Sequence, residues 1–359
     1  MEGIKGQMLQ EGQVGRVGQV GAAIWLVLLA SAGLSDLGCT PRQSEPGNPE
    51  HRPAHVRMAI GGQNQLIYLP VTLAAQLGLY QQEHLDVELQ DFPGGAKALE
   101  ALVGGSADVV CGFYDHTIQM AAEGREMVAF VSMLKYPGLV LVTSPQSADT
   151  VKKIEDLRGH IAGVTTAGSS SHMLLNYLLR GHGVATDAVS VTAIGSAATA
   201  IAALEHGKVD AGMMAEPAFT LMTKRNPKAR VLADLRDGAG VKEAFGTDTY
   251  PAGVLYSKSE WMRSNHDTAA ALARAIVHTL EWMHSHTPQE IAEKTPKAFL
   301  GDESVYVDAL KGSLSMFSGD GRMSAEGAEA VHKLIAGSID KVGAATIDLS
   351  KTYTNEFVQ

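Results

Sequence analysis

Gly168-Ser169-Ser170-Ser171-His172 places three hydroxyls and an imidazole at the start of a segment, Met173 to Leu179, that reads as a helix. A helix N-terminus offers unpaired N–H groups and about half a positive charge, so serines added there make a site for a small anion. Three or four hydrogen bonds to a charged ligand, at about 1.5–3 kcal/mol each, reach about −8 kcal/mol, or micromolar affinity, without any Arg or Lys. The same run also fits a plain Ser N-cap with spare serines. Asp115, His116, Ser170 and His172 have the types of a hydrolytic triad, but no nucleophile elbow surrounds a serine, so no catalytic group is assigned. His284 and His286 stand at i,i+2, where helical side chains do not face each other, and no metal site is expected. Cys111 lies in an apolar strand and reads as a small buried hydrophobe. No cofactor is implied by any of these groups.

The elements that must carry such a site repeat. Ala101-Leu102-Val103-Gly104-Gly105-Ser106-Ala107-Asp108 and Ala203-Leu204-Glu205-His206-Gly207-Lys208-Val209-Asp210 share Ala-Leu-x-x-Gly-x-x-Asp, 102 residues apart. At the same offset Val87-Glu88-Leu89 matches Val189-Ser190-Val191, and Gly94-Gly95-Ala96 falls on Ser196-Ala197-Ala198. Each copy reads strand, turn, helix, strand, turn, helix, strand, the pattern of a parallel sheet covered by helices. Leu139 to Thr143 and Gly253 to Tyr256 are extended runs that follow the copies, and they read as two crossings between lobes. The expected fold is α/β, two lobes with a cleft. Lobe 1 takes 55–139 with 254–359, and lobe 2 takes 140–253.

Ligands of such sheets bind beyond the carboxyl ends of the strands. The strand ends name the remaining candidates: Gly62, Gln63, Asn64 and Gln65; Gly94 and Gly95; Tyr114, Asp115 and His116; and Glu216. Tyr136 and Tyr250, each before a proline near a crossing, offer aromatic walls. Asp115 and Glu216 conflict with an anion. They either accept hydrogen bonds from an amino or amide group or hold loops in place, the latter being the expectation for Glu216.

The chain has 359 residues, with 29 Lys+Arg against 39 Asp+Glu, and this acidic balance argues against nucleic acid. Its two cysteines exclude a disulfide framework and a Cys-rich zinc site. Ala22 to Leu34 is an apolar run of 13 residues, too short to span a bilayer and of the length of a secretory h-region. Export from the cytoplasm follows, with residues 1–39 as the signal and the Pro-rich stretch 40–54 as a flexible tether.

Leu69-Pro70, Ala74 to Tyr80, Leu85 to Leu89, Phe92-Pro93-Gly94-Gly95, Glu100-Ala101-Leu102, Gly105 to Asp108, Asp156 to Gly159, Gly168 to His172 and Glu216-Pro217 occur in order. Together they resemble ABC-transporter solute-binding proteins of the nitrate/sulfonate/taurine (THI5/NMT1-like) family. The resemblance implies a type II periplasmic-binding-protein fold and no enzyme activity. It also implies a small anionic solute, most of all an alkane or aryl sulfonate, with nitrate, taurine and bicarbonate as further choices. The partners it implies are the transmembrane subunits of an ABC importer. Gly38-Cys39 resembles a lipoprotein signal, which makes Cys39 an acylated anchor at the extracytoplasmic face of the membrane; Ala30-Ser31-Ala32 offers plain cleavage and free periplasmic export instead. The serine run is similar to that of aliphatic-sulfonate binders, whereas Tyr114 to His116 are larger than that pattern usually has. A pyrimidine-precursor receptor of the thiamine pathway, or a THI5-like pyrimidine synthase, is the alternative.

Overall fold

The computed structural model describes residues 52–358; the leader, Ala32, Cys39 and most of the tether lie outside the described residues. Lobe 1 begins with β1 (Ala54–Ile60), α1 (Leu69–Gln76), α2 (Leu79–Gln82), β2 (Leu85–Asp91), α3 (Gly95–Gly104), β3 (Val109–Phe113), α4 (Asp115–Ala122) and β4 (Met127–Ser132). The chain then enters lobe 2 through β5 (Leu139–Thr143), β6 (Ile161–Val164), α5 (Ser170–Gly181), β7 (Ser190–Ala193), α6 (Ala197–Glu205), β8 (Ala211–Ala215), α7 (Ala218–Arg225), β9 (Val231–Asp234) and α8 (Gly238–Phe245). It returns along β10 (Gly253–Lys258).

The two sheets have one topology. Lobe 1 runs β2-β1-β3-β10-β4 and lobe 2 runs β7-β6-β8-β5-β9. In each, the first three strands are parallel, and the fourth lies antiparallel to both of its neighbours. That fourth strand is exchanged: β5 follows β4 in the chain but sits in lobe 2, and β10 follows lobe 2 but sits in lobe 1. These are the two crossings that the extended runs imply. Strands β3 and β8 are buried along their whole length, which is why they read as unbroken apolar runs rather than alternating ones.

The repeated motif has a structural role that its sequence does not disclose. Arg57 N donates to Asp108 Oδ2 at 2.9 Å, and Ile161 N donates to Asp210 Oδ2 at 2.8 Å. In return Asp108 N donates to Arg57 O at 2.8 Å, and Asp210 N to Ile161 O at 2.7 Å. Each aspartate thus ties the start of its lobe's central strand to the neighbouring one. The motif glycines Gly105 (φ +80°) and Gly207 (φ +61°) turn the chain out of the preceding helix in the left-handed region, where a Cβ is strained. Asp108→Ala and Asp210→Ala should therefore each lower unfolding stability in urea by about 1–3 kcal/mol. Each also holds a side chain, Asp108 the Arg57 guanidinium at 2.7 and 3.0 Å and Asp210 the Ser147 hydroxyl at 2.6 Å, so the two losses should be similar. Unchanged urea midpoints in both variants would remove this role from the motif.

After β10 the chain is helical: α9 (Ser259–Ser264), α10 (His266–Ser285), α11 (Pro288–Lys294), α12 (Lys297–Leu300), α13 (Glu303–Ser313), α14 (Ala325–Ala336) and α15 (Asp340–Ala344). Helix α10 buries Ala269, Leu272, Ala273, Ile276 and Leu280, a 3.6-residue stripe, and packs on α1 and β4 of lobe 1. The segment does not stay on lobe 1, however. Helix α13 packs on α7, and α14 packs on both α4 and α5. Lys224 of α7 pairs with Asp308 of α13, and Arg180 of α5 donates to Gly337 O at 2.8 Å. Among the described residues no helix is long and apolar enough to cross a membrane.

Candidate functional site

The lobes meet through the loops that leave the carboxyl ends of their strands. Ala96 N, in the first turn of α3, donates to Ser169 Oγ of lobe 2 at 3.1 Å. Ser170 Oγ donates to Asp115 Oδ1 of lobe 1 at 2.7 Å. Leu66 N donates to Glu216 O, again across the lobes, at 2.8 Å. Gly94 comes so close to Thr166 and Ser169 that a Cβ on it would stand 2.7 Å from Thr166 Oγ1 and 3.2 Å from Ser169 Oγ.

Between these contacts lies a space of about 20 Å³, bordered by Gly61, Gln65, Tyr68, Gly95, Thr165 and Ser169 to Ser171. Among the described residues no Lys or Arg borders it. Behind its lining, Asp115 Oδ2, His116 Nε2 and Tyr250 Oη are buried outside strict hydrogen-bond geometry, with Asp115 and Tyr250 near enough to interact with each other and His116 near the Gly168 backbone. A cluster of buried polar groups beside a cleft is where a ligand is expected. Burial pushes the Asp115 carboxyl above the ordinary carboxylate range, against the opposing pull of His116 and Ser170. Burial holds His116 below its usual value, against the opposing pull of Asp115 and the Gly168 backbone, and its Nδ1 lies 3.3 Å from Tyr256 Oη. Burial raises the Tyr250 hydroxyl, and Asp115 raises it further through its charge and a side-chain hydrogen bond.

The serines are arranged differently from an N-cap. Ser169 flanks α5 but its hydroxyl does not cap it; it takes the α3 N–H and bonds Thr166 Oγ1 at 2.6 Å. Ser171 Oγ accepts from Thr165 N at 3.1 Å and pairs with Thr165 Oγ1 at 2.9 Å. Each hydroxyl therefore has its own partner, and the three do not converge on one point. His172 Nδ1 accepts from Gly168 N at 3.2 Å, and partial burial lowers its pKa.

Of the residues singled out from sequence, Gln65, Gly94, Gly95, Asp115, His116, Ser169, Ser170, Ser171 and Tyr250 come together here, with Gly168 and His172 beside them. Others are turned elsewhere. Tyr114 Oη bonds Thr352 in the C-terminal tail and its ring meets Tyr353 edge-on. The Tyr136 hydroxyl lies against Gly238. Gln63 Nε2 donates to Thr72, and Gly62 sits against Ser196 of lobe 2. Asn64 lines a separate groove. Glu216 accepts from Arg236 Nη1 at 2.6 Å and Thr220 Oγ1 at 2.8 Å, contacts that hold its loop. Sequence reasoning missed Tyr68, Phe113, Thr165, Thr166 and Tyr256. Thr165 and Thr166 could have been found by extending the serine run toward its strand; nothing local marks the rest. Met213, Met214 and Met283 are buried in the core, as their spacing suggests. No group of three metal-ligating side chains occurs among the described residues.

Residues 67–291 match the family described as NMT1/THI5 like. The chain belongs to that family. Among solved structures, a Bordetella bronchiseptica RB50 protein is 37% identical, with 85% of this chain and 95% of that one covered and a TM-score of 0.82. The alkanesulfonate-binding protein SsuA of Xanthomonas axonopodis pv. citri, bound to MOPS, is 18% identical with a TM-score of 0.67 over 84% of this chain and 99% of its own. The periplasmic nitrate-binding protein NrtA of Synechocystis PCC 6803 is 12% identical with a TM-score of 0.64 over 85% and 87%. These neighbours share the two-lobed periplasmic-binding-protein fold that the repeat and the crossings imply.

Proposed function

We propose that this family member is the extracytoplasmic solute receptor of an ABC importer, with no reaction of its own. The carrying observation is the buried polar cluster of Asp115, His116, Ser170 and Tyr250, which joins the two lobes. The space of about 20 Å³ holds no more than a water, so a solute enters with the lobes set further apart; touching both, it favours the form closed around it, and the transmembrane subunits engage that shape. The apolar run 22–34 supports export, and Gly38-Cys39 supports a lipid anchor.

The solute that best fits these atoms carries an amino or amide N–H for Asp115 and a second polar atom for His116 or Tyr250, as an aminopyrimidine-like ring does. A buried carboxylate and the lack of a bordering cation among the described residues both weigh against a bare anion. One observation favours the second reading, an alkane or aryl sulfonate, nitrate, taurine or bicarbonate: the first turn of α3 and the start of α5 meet at Ser169, so two helix N-termini face the space.

A thermal-shift and calorimetric panel of aminopyrimidines, amides, sulfonates, nitrate and bicarbonate separates the two. Aminopyrimidines should stabilise the protein without turnover, and Asp115→Asn should weaken them about 30-fold, the loss of one charged hydrogen bond of about 2 kcal/mol. Binding of anions alone, unchanged or improved in Asp115→Asn, would establish the second reading. Product formation from any of them would reject the receptor.

A further inference from the structure

The Gly168 peptide lies at the seam of the two lobes with an imidazole on either side. From lobe 2, His172 Nδ1 accepts from Gly168 N at 3.2 Å. From lobe 1, the fully buried His116 ring approaches the Gly168 backbone. Gly168 turns with φ +79°, and a Cβ on it would stand 3.8 Å from the Cβ of Ala96 in α3. The next two residues make bonds between the lobes, Ser169 with Ala96 N and Ser170 with Asp115. A backbone N–H only donates, so the Nδ1 that faces it must hold a lone pair. Neutral imidazole supplies one; imidazolium has a proton on each nitrogen and would set N–H against N–H. His172 also stands in the first turn of α5, whose positive end disfavours a second positive charge, and burial lowers its pKa in the same sense. The titratable groups around the two rings are Asp115 on α4, Tyr256 on β10, Tyr250 at the crossing, His332 on α14, and Lys97 with Glu100 on α3, which pair with each other at 2.7 Å. Among the described residues no carboxylate pairs with His172.

We propose that the Gly168 turn is an acid-sensitive latch: a proton on His172 breaks its bond to Gly168 N, withdraws Ser169 and Ser170 from lobe 1, and lets the lobes part. The imidazole titrates near its ordinary value of about 6.5 once the lobes open, and lower than that while they are shut. A group whose pKa is lowered in the shut form supports that form above about pH 6.5, and the support is lost as pH falls through the lowered value. His116 acts in the same direction, whereas Asp115, held above the ordinary carboxylate range, acts in the opposite one. Release of a solute in acid rests on the receptor role proposed for this protein; the latch itself does not.

The test follows amide hydrogen exchange of the full chain by NMR without solute, so that its failure and that of the receptor role stay distinct. Ala96 N bonds across the lobes, and Asp108 N bonds Arg57 O within lobe 1. Between about pH 7.5 and about pH 5.5, a histidine freed to titrate at about 6.5 shifts the balance away from the shut form by about tenfold. Protection at Ala96, corrected for the intrinsic exchange rate, should therefore fall about tenfold more in the wild-type chain than in His172→Asn. That variant keeps a carbonyl acceptor for Gly168 N and does not titrate. Asp108 should keep its protection in both chains. The His172 imidazole, titrated in the wild-type chain, should have its midpoint below about 6.5. Equal falls in the two chains overturn the proposal, as does a His172 midpoint at or above its ordinary value. Parallel loss at Asp108 overturns it too, because acid would then be unfolding lobe 1 rather than parting the lobes.

Discussion

Gly94→Val is expected to hold the lobes apart and to weaken solute binding about 100-fold. Gly94 has φ 177° and ψ 169°, extended backbone that any residue adopts, so the substitution introduces no strain within lobe 1. Its side chain would instead meet Thr166 Oγ1 at 2.7 Å and Thr166 Cγ2 at 3.0 Å in the opposite lobe. Separation at that point also breaks the hydrogen bond from Ala96 N to Ser169 Oγ, one of those that join the lobes. If the closed form falls to about 1% of molecules, apparent affinity falls by the same factor of about 100. Small-angle scattering should show a more extended particle that solute no longer compacts, while urea unfolding changes little. Gly94→Ala should lie between. Full affinity in Gly94→Val would mean that the closed arrangement is not the binding form.

Arg236→Met should cause the largest loss of stability, about 3–5 kcal/mol in urea unfolding at neutral pH. Glu216 is only 1% exposed, and Arg236 Nη1 is its cationic partner, with Thr220 supplying further hydrogen bonds. Removing the guanidinium leaves a carboxylate in an apolar loop with its charge uncompensated. Burial already raises the Glu216 pKa, and Arg236 opposes that rise. Without Arg236 the folded pKa climbs further above the unfolded one. A raised folded pKa means that stability is present below the unfolded value and is lost as pH rises through the folded one, so the deficit should shrink toward about pH 5. Glu216→Gln combined with Arg236→Met should recover part of the loss, since no buried charge then remains at this position. A deficit that does not vary with pH would show that Arg236 acts by packing, for instance through its place over the Phe219 ring at 4.7 Å.

Two substitutions so different in kind show what the chain makes visible at each level. The strands, the helix stripes and the 102-residue repeat were legible because each depends on neighbours two to four residues away, or on one motif written twice. The exchanged strands β5 and β10 were legible for the same reason: each is a lone extended run following a complete copy. From these alone came the two lobes, the cleft and the loops around it; the resemblance to a solute-binding family came from the ordered motifs, Gly168 to His172 and Glu216-Pro217 among them.

Which way the loop side chains turn was decided only by tertiary structure. Ser170 meets Asp115 across 55 residues of chain, and Ser169 meets Ala96 across 73. Tyr114 is drawn to Thr352 over 238 residues, which takes it out of the site. The C-terminal helices lie across both lobes although nothing in their own stripe distinguishes one lobe from the other. Local periodicity specifies which face of an element is apolar; it carries no information about how two rigid bodies are set against each other. The partners of the polar groups between those bodies exist only once the lobes are placed.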